Sequence, residues 1–163
     1  MEFRAVSRRR AEQGPPESRP HVIISVSTPH HDADAERSTS YVDDPADLAV
    51  GPGTLGVLRL QFVDLDREPG SAARAVLGPR RAQALFTRAQ ARQILDFVAL
   101  HPGAEVVVAH CDMGASRSPA ICAALAKIHG GDDMAWFANF RPNVHVYRTL
   151  LNEHFELADR QEP

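Results

Sequence analysis

The chain has 163 residues, 44% hydrophobic and 24% charged, a balance that excludes wholesale disorder and suits a single domain over 1–163 with a real core. Lys and Arg number 18 against 21 Asp and Glu, and a net charge of -3 argues against a nucleic-acid binder that works through bulk charge. No apolar run approaches the roughly 18–20 residues a membrane span needs, the first residues lack the apolar centre of a signal peptide, and two cysteines are too few for a disulfide framework. These features favour a protein of the reducing cytoplasm with no membrane partner.

In chain order, Phe3–Ser7 alternates apolar and polar residues and predicts an edge strand. Arg8–Gln13 reads either as one helical turn, stopped by Gly14-Pro15-Pro16, or as a frayed basic tail. Val22–Ser27, Leu55–Phe62 and Val106–His110 are short β-branched or leucine-rich segments that read as buried strands. Two long loops, 28–54 and 67–86, resist assignment; loops of such length are usually functional or flexible. Thr87 and Gln90 have capping-box spacing, and Ala91, Ile94, Leu95 and Val98 give the stripe of a core-facing helix. A second helix starts near Ser118-Pro119, carries the stripe Ile121, Ala124, Leu125 and Ile128, and stops at Gly130-Gly131. Asp132 is placed to cap a short helix ending at Phe140. Val144–Leu157 reads as a last helix with Val144, Tyr147 and Leu151 on one face. Strands alternating with helices predict an α/β fold with a mostly parallel sheet of about four to five strands, flanked by helices.

The chemistry concentrates in Val106–Ala120, VVVAHCDMGASRSPA. A buried strand runs into a short loop, and the loop runs into a helix N-terminus, which makes a ready anion site. Cys111 opens the loop, Gly114 permits a tight turn, and Arg117 closes it six positions after the cysteine. Loop amides and a helix N-terminus stabilise a thiolate. The amides of Asp112, Met113, Gly114, Ala115, Ser116 and Arg117 can hold a tetrahedral oxyanion, and a guanidinium grips two of its oxygens in a fork that lysine lacks. A nucleophile, an anion cradle and a bidentate cation at one point predict phosphoryl transfer through cysteine. The bland alternative is a small core cysteine between a strand and a helix.

His110-Cys111, Gly114 and Arg117-Ser118 match the H-C-x-x-G-x-x-R-[S/T] signature, and on these residues the chain resembles the cysteine-dependent protein tyrosine phosphatases, in size the small dual-specificity-like branch. The order of elements extends the resemblance over most of the chain. It implies a phosphomonoester hydrolase, most directly a protein tyrosine or dual-specificity phosphatase, that forms a cysteinyl-phosphate and uses no cofactor and no metal. Its substrate would be a phosphorylated protein or a small phosphomonoester. The resemblance implies Cys111 as nucleophile and Arg117 as phosphate clamp. It gives His110 the ordering of the loop, and Ser118 a hydrogen bond to the sulfur as it leaves; N-capping of the next helix is the alternative for Ser118. The general acid would follow the strand ending at Phe62: Asp64 falls on the family position, Asp66 is the alternative, and Glu68 is more distant. The length of loop 67–86 departs from the family pattern.

The loop residues Asp112, Met113, Ala115 and Ser116 include no base, which argues against a polyphosphorylated inositide. Arg80 and Arg81 read as a solvated turn or as contacts to acidic substrate flanks. His30, His31, Asp32 and Asp34 read as a solvated loop in preference to a metal cluster. Cys122 reads as a core residue, with a resolving thiol as the alternative. Low-molecular-weight phosphatases place a similar loop near the N-terminus and fit poorly. Two other functions stay open: a phosphatase-fold module that binds phosphoproteins without turnover, and a phosphatase of a non-protein ester.

Overall fold

The computed structural model describes residues 1–28, 46–66 and 85–159. The readings placed on His30, His31, Asp32, Asp34, Glu68, Arg80 and Arg81 lie outside the described residues. Strands β1 (Glu2–Ser7), β2 (His21–Ser27), β3 (Thr54–Gln61) and β4 (Val106–Cys111) form one sheet in the order β1-β4-β2-β3. Every neighbouring pair is parallel. The helices are α1 (Arg8–Glu12), α2 (Arg88–Ala99), α3 (Arg117–Ile128), α4 (Met134–Asn139) and α5 (Val144–Asp159).

The central strands β2 and β4 are buried along their whole length, which is why they read as unbroken apolar runs instead of alternating ones. On one sheet face Val22, Ile24, Val26, Leu60, Val107, Ala109 and Cys111 share a core with Ala91, Ile94 and Val98 of α2, Ile121 and Leu125 of α3, and Val146 and Leu150 of α5. Side chains alternate along a strand, so Ile23, Ser25, Val106, Val108 and His110, also buried, point to the opposite face. β1 is an edge strand with exposed Glu2 and Arg4.

Helical termini follow local chemistry. Thr87 and Gln90 form the capping box: Thr87 Oγ1 accepts the Gln90 N–H at 3.2 Å, and Gln90 Oε1 accepts the Thr87 N–H at 3.0 Å. The cap position of α4 is Asp133, not Asp132 as the sequence suggests, and its side chain makes no capping bond; Asp132, one residue earlier, accepts the Met134 N–H at 2.8 Å. Of the two readings of Arg8–Gln13, the helix is the one observed; Ser7 caps α1, and Arg8 pairs with Glu12 at 2.8 Å.

Two helical faces differ from the sequence reading. α3 carries no single stripe: every residue from Arg117 to Ala126 is buried, because the helix touches β1, β4, α4 and α5 together. Its alanines allow that close approach. On α5 the fully buried line is Val146, Leu150 and Glu153, with Tyr147 and Leu151 on its flank and Val144 only half-buried. The rotation has a polar cause. Glu153 faces inward because Arg88 Nε at 2.8 Å and Arg92 Nε at 2.9 Å meet it from α2. These two guanidiniums hold its carboxyl below the usual range and dock α5 on α2.

Candidate active site

In an all-parallel sheet the C-terminal ends of the strands share one edge, where ligands of open α/β sheets bind. Here that edge collects Ser7 at the end of β1, Thr28 after β2, Phe62–Asp64 after β3 and Cys111 at the end of β4. The loop of residues 112–116 leaves Cys111, and Arg117 opens α3.

Gly114 has φ +71°, and a Cβ there would lie 2.7 Å from both Ser7 N and Val6 C. The turn therefore needs glycine twice, for its handedness and for its approach to β1. The loop carbonyls are tied from outside. Asp112 O accepts the Arg8 N–H at 3.2 Å, Ala115 O the Arg141 N–H at 3.2 Å, and Ser116 O the Asn143 N–H at 3.2 Å. In a planar trans peptide the N–H points opposite to the preceding C=O. The amides of Met113, Ser116 and Arg117 are thus turned away from those partners. Among the described residues no acceptor takes the N–H groups of Met113 to Ser116.

Arg117 is 4% exposed. Its Nη1 donates to Phe62 O at 2.9 Å and to Thr28 Oγ1 at 3.0 Å, and its Nη2 pairs with Asp112 Oδ2. Its Nε is buried and has no partner among the described residues. One edge of the guanidinium is therefore anchored to the ends of β2 and β3, and the Nε edge keeps an unused donor. Cys111 is 2% exposed, and its Sγ lies 3.2 Å from Ser118 Oγ. Ser118 is not the cap of α3. That position is held by Ser116, whose side chain makes no capping bond and donates instead to Asp64 Oδ1 at 2.8 Å.

Asp64 and Asp66 occupy different positions. Asp64 Oδ1 accepts from Ser116 Oγ and from Asn143 Nδ2, each at 2.8 Å, so this exposed carboxylate sits against the signature loop. Asp66 Oδ1 accepts the Val144 N–H at 3.1 Å and belongs to the start of α5. Sequence reasoning missed Asn143. It is fully buried, its Oδ1 accepts the Val146 N–H at 3.0 Å as the cap of α5, and its amide holds Asp64. The available signal was Pro142-Asn143 directly before an apolar-periodic segment, a helix-start pattern. Thr28 and Arg141 were likewise missed, and no local pattern marks either.

His110 is paired across the strands with Ser25, and its Nε2 lies 2.8 Å from Ser25 Oγ. Burial pushes its pKa down to about 4, with the positive charge of Arg8 adding to the effect. The ring is neutral near pH 7. Cys122 is fully buried in α3, and burial pushes its thiol pKa up.

Comparison with family models and with curated proteins gave no match. Comparison with solved structures did. PTPMT1 in complex with PI(5)P superposes with a TM-score of 0.51 at 16% identity, covering 99% of this chain and 95% of the other. Human DUSP28 superposes at 0.49 and 18% identity, covering 98% and 95%. A mouse putative dual specificity phosphatase complexed with zinc tungstate superposes at 0.47 and 16% identity, covering 94% and 82%. At such identities the likeness is one of fold: the chain shares the α/β fold of PTPMT1.

Proposed function

We propose that this protein is a phosphomonoester hydrolase that works through a cysteinyl-phosphate, and most directly a protein tyrosine or dual-specificity phosphatase. The observation that carries the reading is the buried, unpartnered Arg117 Nε on an anchored guanidinium, beside a loop whose amides are unspent and whose first residue is Cys111. Donors fixed before the reaction are what a phosphoryl group needs as charge shifts among its oxygens.

In the first step the Cys111 thiolate attacks phosphorus, the P–O ester bond breaks, and Asp64 gives its proton to the departing oxygen. In the second step water attacks phosphorus and passes a proton to the Asp64 carboxylate. The S–P bond then breaks, inorganic phosphate leaves, and the thiolate returns with the Ser118 hydroxyl hydrogen-bonded to it. Both Asp64 hydrogen bonds use Oδ1, which leaves Oδ2 for the proton. His110 holds β4 to β2 beside the nucleophile. No step calls for a metal or a cofactor. A thiolate nucleophile suits a reducing compartment such as the cytoplasm, and no helix among the described residues is long and apolar enough to cross a membrane.

The test is hydrolysis of p-nitrophenyl phosphate in the presence of EDTA by the wild type, Cys111→Ser and Arg117→Ala. Turnover by the wild type alone is the expected result. Full activity of Cys111→Ser would overturn the mechanism, and tight phosphopeptide binding without turnover would select a binding module instead.

A further inference from the structure

We propose that the cleft between α1 and the signature loop is a second substrate subsite, which takes an acidic side chain of the polypeptide that carries the phosphoryl group. The proposal rests on the phosphatase reading above. The cleft has a volume of about 340 Å³ and is lined by Ser7, Arg8, Arg9, Glu12, Asp112 and Met113. Asp112 and Met113 belong to the loop around the phosphoryl site, so an occupant of the cleft is a near neighbour of the reacting group. The Arg8 N–H bond to Asp112 O, 3.2 Å, joins the two walls.

The charges in the cleft decide what it accepts. Glu12 is engaged by Arg8 Nε at 2.8 Å and by the Asp47 N–H at 3.3 Å. Asp112 is engaged by Arg117. Arg10 turns away, to the carbonyls of Gly14 and Pro15. Arg9 is exposed and has no acidic partner among the described residues. After these pairings one positive charge is left unmatched among the described residues, and the exposed side of Met113, at 71%, supplies an apolar wall next to it. A single charge suits a monoanionic carboxylate. A second phosphoryl dianion would bring two charges to the single cation left free among the described residues. A carboxylate carried next to a phosphorylated residue, with an aliphatic stem to lie on Met113, satisfies both walls.

The test compares kcat/KM for four phosphotyrosine peptides that differ only in residues flanking the phosphotyrosine: acidic, alanine, lysine or phosphoserine. Each is measured with the wild type, Arg9→Ala and Arg9→Glu, and the readout is the ratio between peptides within each enzyme. The wild type should favour the acidic peptide over the alanine peptide by about two- to fivefold, the range of one exposed ion pair. Arg9→Ala should bring that ratio to about one, and Arg9→Glu should invert it in favour of lysine. A wild-type ratio of one, or a ratio that survives in Arg9→Ala, overturns the subsite. So does an Arg9-dependent gain seen only with a doubly phosphorylated peptide, because the occupant is then a second phosphoryl group. If the wild type hydrolyses neither the peptides nor p-nitrophenyl phosphate, the phosphatase reading itself has failed.

Discussion

Asn143 Nδ2 donates to Asp64 Oδ1 at 2.8 Å while Asn143 Oδ1 accepts the Val146 N–H at 3.0 Å. One buried side chain therefore starts α5 and positions the carboxylate over the signature loop. Its backbone N–H also ties Ser116 O, so helix, acid and loop are set by a single residue. Asn143→Ala removes the cap and the amide donor together. Urea denaturation should report a loss of about 1 kcal/mol from the cap, and kcat on a phosphotyrosine peptide should fall severalfold.

Asp64 and Asp66 should separate cleanly. Asp64→Asn keeps the shape but carries no proton to give, and should lower kcat on poor leaving groups by about 10²–10⁴-fold. The loss should be smaller on a good leaving group such as p-nitrophenolate, which needs less protonation. Asp66→Asn should stay near wild type, because asparagine still accepts the Val144 N–H as a helix cap. If Asp66→Asn alone lowers kcat on poor leaving groups, the acid has been misassigned.

Arg117→Lys retains a charge and loses the fork. Lysine cannot meet Phe62 O and Thr28 Oγ1 while also presenting a further donor, as Arg117 does with Nε, to a phosphoryl group. A fall in kcat of about 10²–10³-fold is expected, in the range for removal of one oxyanion donor. Weaker inhibition by vanadate should accompany it.

Gly114→Ala combines two penalties. A left-handed backbone costs an L-residue about 1–2 kcal/mol, and the new methyl would sit 2.7 Å from the backbone of Val6 and Ser7. That backbone is held in register with β4 and cannot yield without loosening β1. The urea midpoint should drop accordingly, and activity with it.

His110 makes stability depend on pH. Its pKa is about 4 in the folded protein against an ordinary value of 6.5. Between these values the unfolded chain binds a proton that the folded chain does not, so stability rises with pH across this window. The contribution is fully present above 6.5 and is lost as pH falls toward 4, by at most about 3 kcal/mol. Urea titrations of the wild type at pH 7.5, 6 and 5 should show this slope, and His110→Gln should flatten it.

The strand, loop and helix around Cys111 were legible because the signature is contiguous: a buried apolar run, a glycine turn and a helix start each act over a few residues. The capping box at Thr87 and Gln90 was legible for the same reason. The inward face of α5 was misjudged by one position, since Glu153 is drawn inside by Arg88 and Arg92 of another helix. The stripe read on α3 was too narrow, because α4, α5 and the sheet together bury every residue from Arg117 to Ala126. The amino-acid sequence by itself determined the strand–loop–helix setting of Cys111 and the class of fold. The tertiary structure alone decided which of two aspartates meets the loop, that Asn143 holds it, and that Thr28 and Phe62 anchor Arg117. Those contacts join residues distant in the chain, and only the parallel order β1-β4-β2-β3 brings their strand ends to one edge.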